Sequence, residues 1–282
     1  MARRPFRRSI VSPSWRDRYV AVLSPERVAL VRRRRGWNDA FDFRADAACA
    51  EPTLAAATEA LSGLLGRPEI GDGRLTVLLS NHFVRYLLVP WRAEVGSPAE
   101  LAAFADICCD QVFGSEPGRR ILLTSREKAS SPRLAAVLDG AFLDNLRSVV
   151  EASPLRLASV QPYLSAAFNC MRQSFSRRNF VFVVAEPART CMLVSIDGCW
   201  SSVRASAGED RPQALADLIE REALLLGVAE EDMPPVFVHA PRHADLKLPD
   251  CHGVTPETIR LPLPETLAGA ADPLLTMAMT VT

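Results

Sequence analysis

Two stretches of the chain share one pattern, in which a run of β-branched and apolar residues is followed by a short polar turn and a second such run. The first stretch, residues 19–33, reads YVAVLSPERVALVRR, and the second, residues 180–195, reads FVFVVAEPARTCMLVS. Runs of this kind around a proline-containing turn predict β-hairpins. A further strand is predicted after each hairpin, at residues 40–44 and 199–205. The repetition predicts a duplicated fold.

Between the hairpins, the apolar pattern alternates between two periods. Continuous apolar runs of six or seven residues predict buried strands, and apolar residues spaced three or four apart predict helices. The predicted strands of this region are residues 74–80, 83–89, 120–125, 132–138 and 155–160. The predicted helices are residues 52–65, 97–114, 140–152 and 163–175. Pro52 suits the first turn of its helix, and Ser97 and Pro98 are typical of an N-cap followed by a first helical position.

The second half continues the alternation after its hairpin. Asp197-Gly198 is a strong two-residue turn signal between the strands 190–196 and 199–205. A helix is predicted at 212–226, and short strands are predicted at 236–239 and 258–261. Residues 271–282 are weakly patterned, so no element is assigned there. The mixture of strands and helices predicts an α/β protein.

The composition fits a folded protein of two domains. The chain has 282 residues, of which 48% are hydrophobic and 23% are charged, and a length of this kind favours two cores of roughly 150 residues each. No apolar run approaches the ~20 residues that span a bilayer. The basic N-terminus is not followed by an apolar signal core. We therefore expect a cytoplasmic protein.

The charge is distributed unevenly. Residues 1–40 contain eleven arginines and three acidic residues, a net charge of +8, and the remainder carries −8. A basic arm of this kind suits an anionic membrane face, an acidic partner or nucleic acid, although a solvated tail and an exposed edge of the first hairpin are the simpler and favoured explanation. An α/β module that binds nucleic acid through this arm remains an alternative. Few aromatic residues lie near the arm, so nucleic acid is not the expected partner.

Candidate catalytic and metal-binding residues are sparse. The seven cysteines show no CxxC spacing, and we expect most of them to be buried small hydrophobes. His239, His243, Cys251 and His252 are residue types that zinc accepts. However, Pro241 disfavours the helix that would place the first two on one face. Asn81 and His82 follow the predicted strand 74–80, where loops commonly carry function. His82 has no visible nucleophile partner, so no catalytic residue and no metal site are predicted.

A family resemblance begins in the region from Arg74 to Asn169. The segments RLTVLLSNHFVRYLLVPW, PAELAAFADICCDQVFG and SPRLAAVLDGAFLDNLRSVVEASPLRLASVQPYLSAAFN follow one another there. Their order resembles the actin-like cytoplasmic domains of the PilM, MshI and GspL group of type IV pilus and type II secretion assembly-platform proteins. The resemblance implies a duplicated actin-like (ribonuclease H-like) α/β fold with two lobes, 1–176 and 177–282. It also implies an inserted α/β subdomain at about 83–153.

The resemblance also implies a nucleotide cleft whose phosphate loops lie at the two hairpin turns. Such loops normally read Asp-(Ile/Leu/Val)-Gly followed by a hydroxyl residue, because glycine lets backbone amides approach phosphate. Here both glycine and aspartate are absent, and the third loop position reads His239-Ala240-Pro241-Arg242. The residues at the degenerate phosphate-loop positions are Ser24, Glu26, Arg27, Glu186, Arg189 and Thr190. We expect no nucleotide cofactor, and expect the charged members to form salt bridges across an empty cleft.

The resulting functional expectation is a non-catalytic actin-like scaffold, a pseudo-ATPase that docks a bitopic inner-membrane protein of the PilN kind. Since no membrane helix follows residue 260, the chain resembles the soluble members of the group, with possible peripheral membrane contact through the basic arm. The expected exposed residues for partner contact are the aromatics Phe83, Tyr86, Trp91 and Phe113. The alternative is an actin-like ATPase or kinase-like enzyme that binds ATP with magnesium.

Overall fold

The computed structural model describes residues 17–34, 40–175, 178–208, 210–243, 245–261 and 272–281. Residues 1–16 and 35–39 of the basic N-terminal segment and the predicted domain boundary between residues 176 and 177 lie outside these ranges. The strands are β1 (Asp17–Leu23), β2 (Arg27–Arg34), β3 (Ala40–Ala48), β4 (Gly73–Leu79), β5 (Arg85–Val89), β6 (Arg120–Thr124), β7 (Arg133–Asp139), β8 (Leu155–Pro162), β9 (Phe180–Glu186), β10 (Arg189–Ile196), β11 (Cys199–Ala207), β12 (Val236–His239) and β13 (Glu257–Thr258). The helices are α1 (Leu54–Leu65), α2 (Pro98–Phe113), α3 (Gly140–Glu151), α4 (Tyr163–Met171), α5 (Pro212–Leu225) and α6 (Pro273–Ala278).

Two of the sheets have the same construction. The first has the order β3-β2-β1-β4-β8, and the second has the order β11-β10-β9-β12-β13. In each, the first three strands in sequence are antiparallel neighbours, the fourth pairs in parallel with the first, and the fifth pairs in parallel with the fourth. The equal order and polarity confirm the predicted duplication. The Asp197-Gly198 turn is also confirmed, because both residues have positive φ, of 53° and 75°.

An inserted unit interrupts the first half of the chain. Its sheet has the order β5-β7-β6 and is wholly antiparallel. Helix α2 packs on one face of this sheet and contributes Ala105, Cys108 and Cys109 to a small separate core. The predicted start of α2 is confirmed, because Ser97 and Glu100 form a reciprocal capping box and Pro98 is the first helical residue. Helix α1 begins slightly later than predicted, since Thr53 is its N-cap and Pro52 precedes the helix.

Strand β9 lies at the centre of the molecule and is buried on both faces. Phe180, Phe182 and Val184 belong to the large core that also contains the first sheet. The alternate residues Val181 and Val183 face a second core, which helix α5 covers. Because side chains alternate across a strand, a continuous apolar run is needed at this position. The large core therefore connects the two duplicated sheets.

The final helix returns to the first sheet. Helix α6 packs against β1 and β2, although it follows the second sheet in sequence. Leu274, Leu275 and Met277 are buried, and the Asp272 carboxylate caps the helix by accepting from Leu274 N at 3.0 Å. The sequence did not predict this helix, because six residues are too few to show a 3.6-residue period.

Candidate functional site

The turns of the two duplicated hairpins face each other across a cleft. The cleft encloses about 350 Å³, and Ser24 to Arg27 and Glu186 to Ala188 line it. The loop after β4, the residue Arg242 and one side of α6 complete its walls. This is where the resemblance places the phosphate loops, so the geometry of the two turns decides what the cleft can bind.

The first turn uses its own polar groups internally. Ser24 Oγ donates to the Arg27 carbonyl at 2.6 Å, and Ser24 N donates to the same oxygen at 3.2 Å. Arg27 N in turn lies 3.4 Å from Ser24 Oγ. Pro25 has no amide hydrogen to offer. The Ser24 and Arg27 amides are therefore engaged in closing the turn and do not point toward a ligand.

The Arg27 side chain forms an ion pair with a residue outside the turn. Its guanidinium donates to the Asp272 carboxylate, which also accepts from Arg44. The Asp272 side chain is only 6% exposed. Two cations and one cap contact therefore hold this buried carboxylate, consistent with the rule that buried charges are paired. The arrangement secures α6 against the first hairpin.

The second turn sends a carboxylate across the cleft. Glu186 is 2% exposed, and its Oε2 accepts a hydrogen bond from Ser80 Oγ. Its Oε1 accepts from Asn81 N at 2.9 Å. Ser80 and Asn81 follow β4 of the first sheet, whereas Glu186 ends β9 of the second. The carboxylate therefore joins the two duplicated units and receives the kind of donors that a phosphate oxygen would receive.

Asn81 extends this junction into the interior. The residue is fully buried, and its Oδ1 accepts from Tyr86 Oη at 2.7 Å and from Leu164 N at 2.9 Å. This one residue therefore bonds to three elements, namely strand β5 of the inserted unit, the N-terminus of α4 and the end of β9. The neighbouring His82 adds a further link, since its Nε2 lies 2.8 Å from the Pro187 carbonyl.

Burial changes the acidity of the junction. Desolvation raises the pKa of Glu186 to about 7, while the donors Ser80 and Asn81 and the nearby Arg189 guanidinium favour the charged form. Burial also lowers the pKa of His82. A carboxyl group that is close to half protonated at neutral pH makes the strength of this contact dependent on pH.

A second buried pair lies beside β12. Tyr163 Oη and His239 Nε2 are 2.7 Å apart, and His239 Nδ1 lies 3.2 Å from the Ile259 carbonyl. Burial lowers the pKa of His239 to about 4, so the imidazole is neutral at physiological pH. His239 is thus committed to a structural contact between α4 and the second sheet.

The salt bridges predicted among the degenerate loop residues are not formed. Arg27 pairs with Asp272, and Glu186 bonds to Ser80 and Asn81. Among the described residues, neither Glu26 nor Arg189 has a carboxylate or cation within ion-pair distance. Thr190 is buried, and its Oγ1 has no hydrogen-bond partner there. The prediction was wrong because the partners are the two residues after β4 and the residue before α6, which are far away in sequence.

The aromatic residues expected at a partner surface separate into different environments. Trp91 is 43% exposed, whereas Phe83 and Phe113 are half-buried. Tyr86 is 6% exposed and points to Asn81. The expectation that Tyr86 is exposed is therefore wrong, because its hydroxyl belongs to the interlobe junction.

A larger groove lies between the first sheet and the inserted sheet. It encloses about 560 Å³ and is lined by Ile121 and Leu123 of β6 and by residues 155–160 of β8. Helix α3 contributes Leu143 and Val150 to its floor. Both β6 and β8 end their sheets. The sequence did not reveal this groove, because which strand becomes an edge depends on the sheet order.

The candidate metal ligands do not come together. His239 bonds to Tyr163, and His243 lies 3.1 Å from an Asp210 carboxylate oxygen. Throughout the ranges given above, no group of three or more His, Cys, Asp or Glu side chains could hold a metal ion. Burial raises the pKa of Cys108 and Cys109, which disfavours the reactive thiolate.

Ser80, Tyr163 and Asp272 are the site residues that sequence reasoning did not single out. Asn81 and His82 carried a weak signal, because they follow the predicted strand 74–80 and loops at strand ends commonly carry function. Asp272 precedes a proline at the start of α6, as an N-cap does. Tyr163 gave no signal that distinguishes it from a core aromatic residue.

No protein-family model and no curated protein matches this sequence. Solved structures do resemble it. The structure described as the PilM-PilN type IV pilus biogenesis complex matches 93% of this chain and 96% of that chain, at 13% identity and a TM-score of 0.61. The cytoplasmic domain of EpsL, an inner-membrane component of the type II secretion system of Vibrio cholerae, matches with 94% coverage of each chain, 11% identity and a TM-score of 0.55.

A Bacteroides thetaiotaomicron protein of unknown function with an actin-like ATPase fold also matches. It covers 80% of this chain and 82% of that chain, at 8% identity and a TM-score of 0.51. In the described part of the chain, no helix is both long enough and apolar enough to cross a bilayer. The duplicated sheets, the inserted unit and these similarities together establish that the chain has an actin-like fold.

Proposed function

We propose that this protein is a non-catalytic actin-like scaffold on the cytoplasmic side of a type IV pilus or type II secretion assembly platform. The observation that carries the proposal is the Glu186 carboxylate, which crosses the cleft to Ser80 and Asn81. In the fold that the chain resembles, this is the region of the phosphate loops. A carboxylate there repels the negatively charged phosphates, and it already accepts the hydrogen bonds that a triphosphate would need.

The proposed mechanism is capture of a short extended segment of a bitopic inner-membrane protein. The groove between β6 and β8 supports it, because each strand ends its sheet and offers unpaired backbone groups to an added strand. Its apolar side chains, including the 47% exposed Leu123, suit alternate side chains of such a segment. The similar PilM structure was solved in a complex with PilN, which supports a partner of that kind.

Leu123→Asp should weaken capture of the partner while leaving the fold intact. The change places a charge in the apolar groove, where it must be desolvated when a segment binds. We expect at least tenfold weaker binding. The measurement is co-purification with detergent-solubilised inner-membrane proteins, identification of the captured protein by mass spectrometry, and titration with a synthetic peptide of its cytoplasmic segment.

Leu224→Asp is the matched control. Leu224 is 75% exposed on helix α5, which packs on the second sheet, away from the groove. Binding should be unchanged in this variant. The docking proposal fails if no bitopic protein is recovered, or if Leu224→Asp weakens peptide binding as much as Leu123→Asp does.

The protein should not turn over ATP. With magnesium and ATP, phosphate release should equal the rate without protein, because the Ser24 and Arg27 amides and the Ser80 hydroxyl are already bonded within the protein. Glu26 is an exposed carboxylate of the cleft, so Glu26→Gln is the informative variant. Phosphate release above background that disappears in Glu26→Gln would instead establish the enzymatic alternative.

A further inference from the structure

A second recess lies away from the interlobe cleft, between the inserted unit, α4 and the second sheet. It encloses about 490 Å³, which is within the usual range for small-ligand sites. None of its lining residues lines the cleft. We refer to it as the arginine recess, because Arg126, Arg172 and Arg178 all contribute to its wall.

The three arginines come from three separate elements. Arg126 follows β6 of the inserted unit, Arg172 follows α4, and Arg178 precedes β9. All three are exposed, and none has a carboxylate within ion-pair distance in the described residues. Three unpaired guanidinium groups around one recess create a site for an anion.

The apolar wall of the recess is aromatic. Phe168, Phe180 and Trp200 line it. Phe168 and Trp200 meet edge to face, with ring centroids 5.0 Å apart. Trp200 is fixed further, because its Nε1 donates to Glu127 Oε1 at 2.8 Å. A rigid aromatic wall next to cationic groups is suited to a planar ring that bears an anionic group.

The only carboxylate that lines the recess among the described residues is Glu127, and it is already bonded to Trp200. The recess therefore keeps a net charge of +2. The hydroxyl of Ser165 and the amide of Asn169 lie on the same wall. These groups are able to accept or donate hydrogen bonds to a sugar or to a base edge.

We propose that the arginine recess binds a mononucleotide-sized organic phosphate, with the phosphate on the arginines and the ring against the aromatic wall. The site is independent of the interlobe cleft and does not need magnesium. Because Arg126, Arg172 and Arg178 adjoin three different elements, a bound phosphate would also link the inserted unit to the second sheet.

Isothermal titration of the whole protein with AMP and with GMP, without magnesium, tests the proposal. The double variant Arg172→Ala/Arg178→Ala should weaken binding by at least about tenfold, since hydrogen bonds to charged groups are the strong ones. The variant Arg172→Lys/Arg178→Lys should retain part of the affinity through its charge. Arg67→Ala, which removes an exposed arginine after α1, should change nothing.

Inorganic phosphate is the second probe, and it should bind more weakly than AMP or GMP because it lacks the ring. Equal affinity for phosphate and nucleotide would overturn the assignment of the aromatic wall. No binding of either nucleotide would overturn the proposal as a whole. Binding that survives Arg172→Ala/Arg178→Ala but is lost in Arg242→Ala would place the ligand in the interlobe cleft, and would also overturn it.

Discussion

Asn81→Ala should lower the free energy of unfolding by about 3 kcal/mol. The wild-type Asn81 Oδ1 accepts from Tyr86 Oη and from Leu164 N, and all three residues are buried. Alanine leaves a buried hydroxyl and a buried amide without a partner, and each costs about 1–3 kcal/mol. Alanine also leaves a small cavity, which adds to the loss. Urea unfolding monitored by circular dichroism and by tryptophan fluorescence measures the effect.

Asn145→Ala is the matched control, because it is the same substitution at a residue that is exposed on α3. Its effect should stay within about 0.5 kcal/mol. If Asn81→Ala costs no more than Asn145→Ala, Asn81 is not the hub that joins β5, α4 and the end of β9. A large loss that appears in only one of the two spectroscopic signals would show that the lobes unfold separately.

The local elements of this fold were predictable from the sequence. Both hairpins, the α2 N-cap and the Asp197-Gly198 turn depend on residues within a few positions of one another. The duplication was also visible, because both copies repeat the same strand pattern. Helix α6 was missed for the opposite reason, since its stability comes from packing on β1 and β2 and from the pairing of Asp272 with Arg27 and Arg44.

The site itself was only partly predictable. The loss of glycine at the two turns was visible, but the use of Glu186 was not, because its donors Ser80 and Asn81 are 106 and 105 positions away. Tyr86 was expected at the surface and is instead buried, because the inserted sheet turns it toward Asn81. Contacts of this range depend on how the sheets are placed, which a local pattern does not encode.

Two contacts close the cleft: one is made by Glu186, and the other is made by Asp272 with Arg27 and Arg44. Asp272 fixes α6 to the first sheet through Arg27 and Arg44. Glu186 joins the two duplicated sheets through a carboxylate whose pKa burial raises to about 7. The strength of this interlobe contact therefore depends on pH.

Glu186→Gln should become progressively more stable than the wild type as the pH rises. An unfolded glutamate loses its proton near pH 4.3, whereas folded Glu186 keeps it until about pH 7. Between these values the native state binds more protons, so the Glu186 contribution to stability is fully present below about pH 4.3 and is lost as the pH rises through 7. The difference in unfolding free energy between variant and wild type should grow by up to about 3 kcal/mol from pH 4.5 to 8.

Glu59→Gln, on the exposed face of α1, corrects for the loss of one surface carboxylate. Urea midpoints measured at half-unit pH intervals give the comparison. A difference between Glu186→Gln and the wild type that is constant from pH 4.5 to 8, after this correction, would mean that Glu186 ionises as a solvated group does. The carboxylate would then not be the buried interlobe contact described above.

His239→Gln should show the opposite trend over nearly the same range. The unfolded imidazole takes up a proton near pH 6.5, but buried His239 does so only at about pH 4. The unfolded state therefore binds more protons between these values, and the wild type loses stability as the pH falls from 6.5 to 4. Glutamine removes this loss, while its amide oxygen can still accept from Tyr163 Oη.

The two variants should differ in opposite ways from the wild type. His239→Gln should gain stability relative to the wild type as the pH falls, and Glu186→Gln should gain stability relative to the wild type as the pH rises. The two effects oppose each other in the wild type, so they are separated only by measuring both variants. If the stability of both variants relative to the wild type moved in the same direction with pH, at least one of the two buried contacts would be wrong.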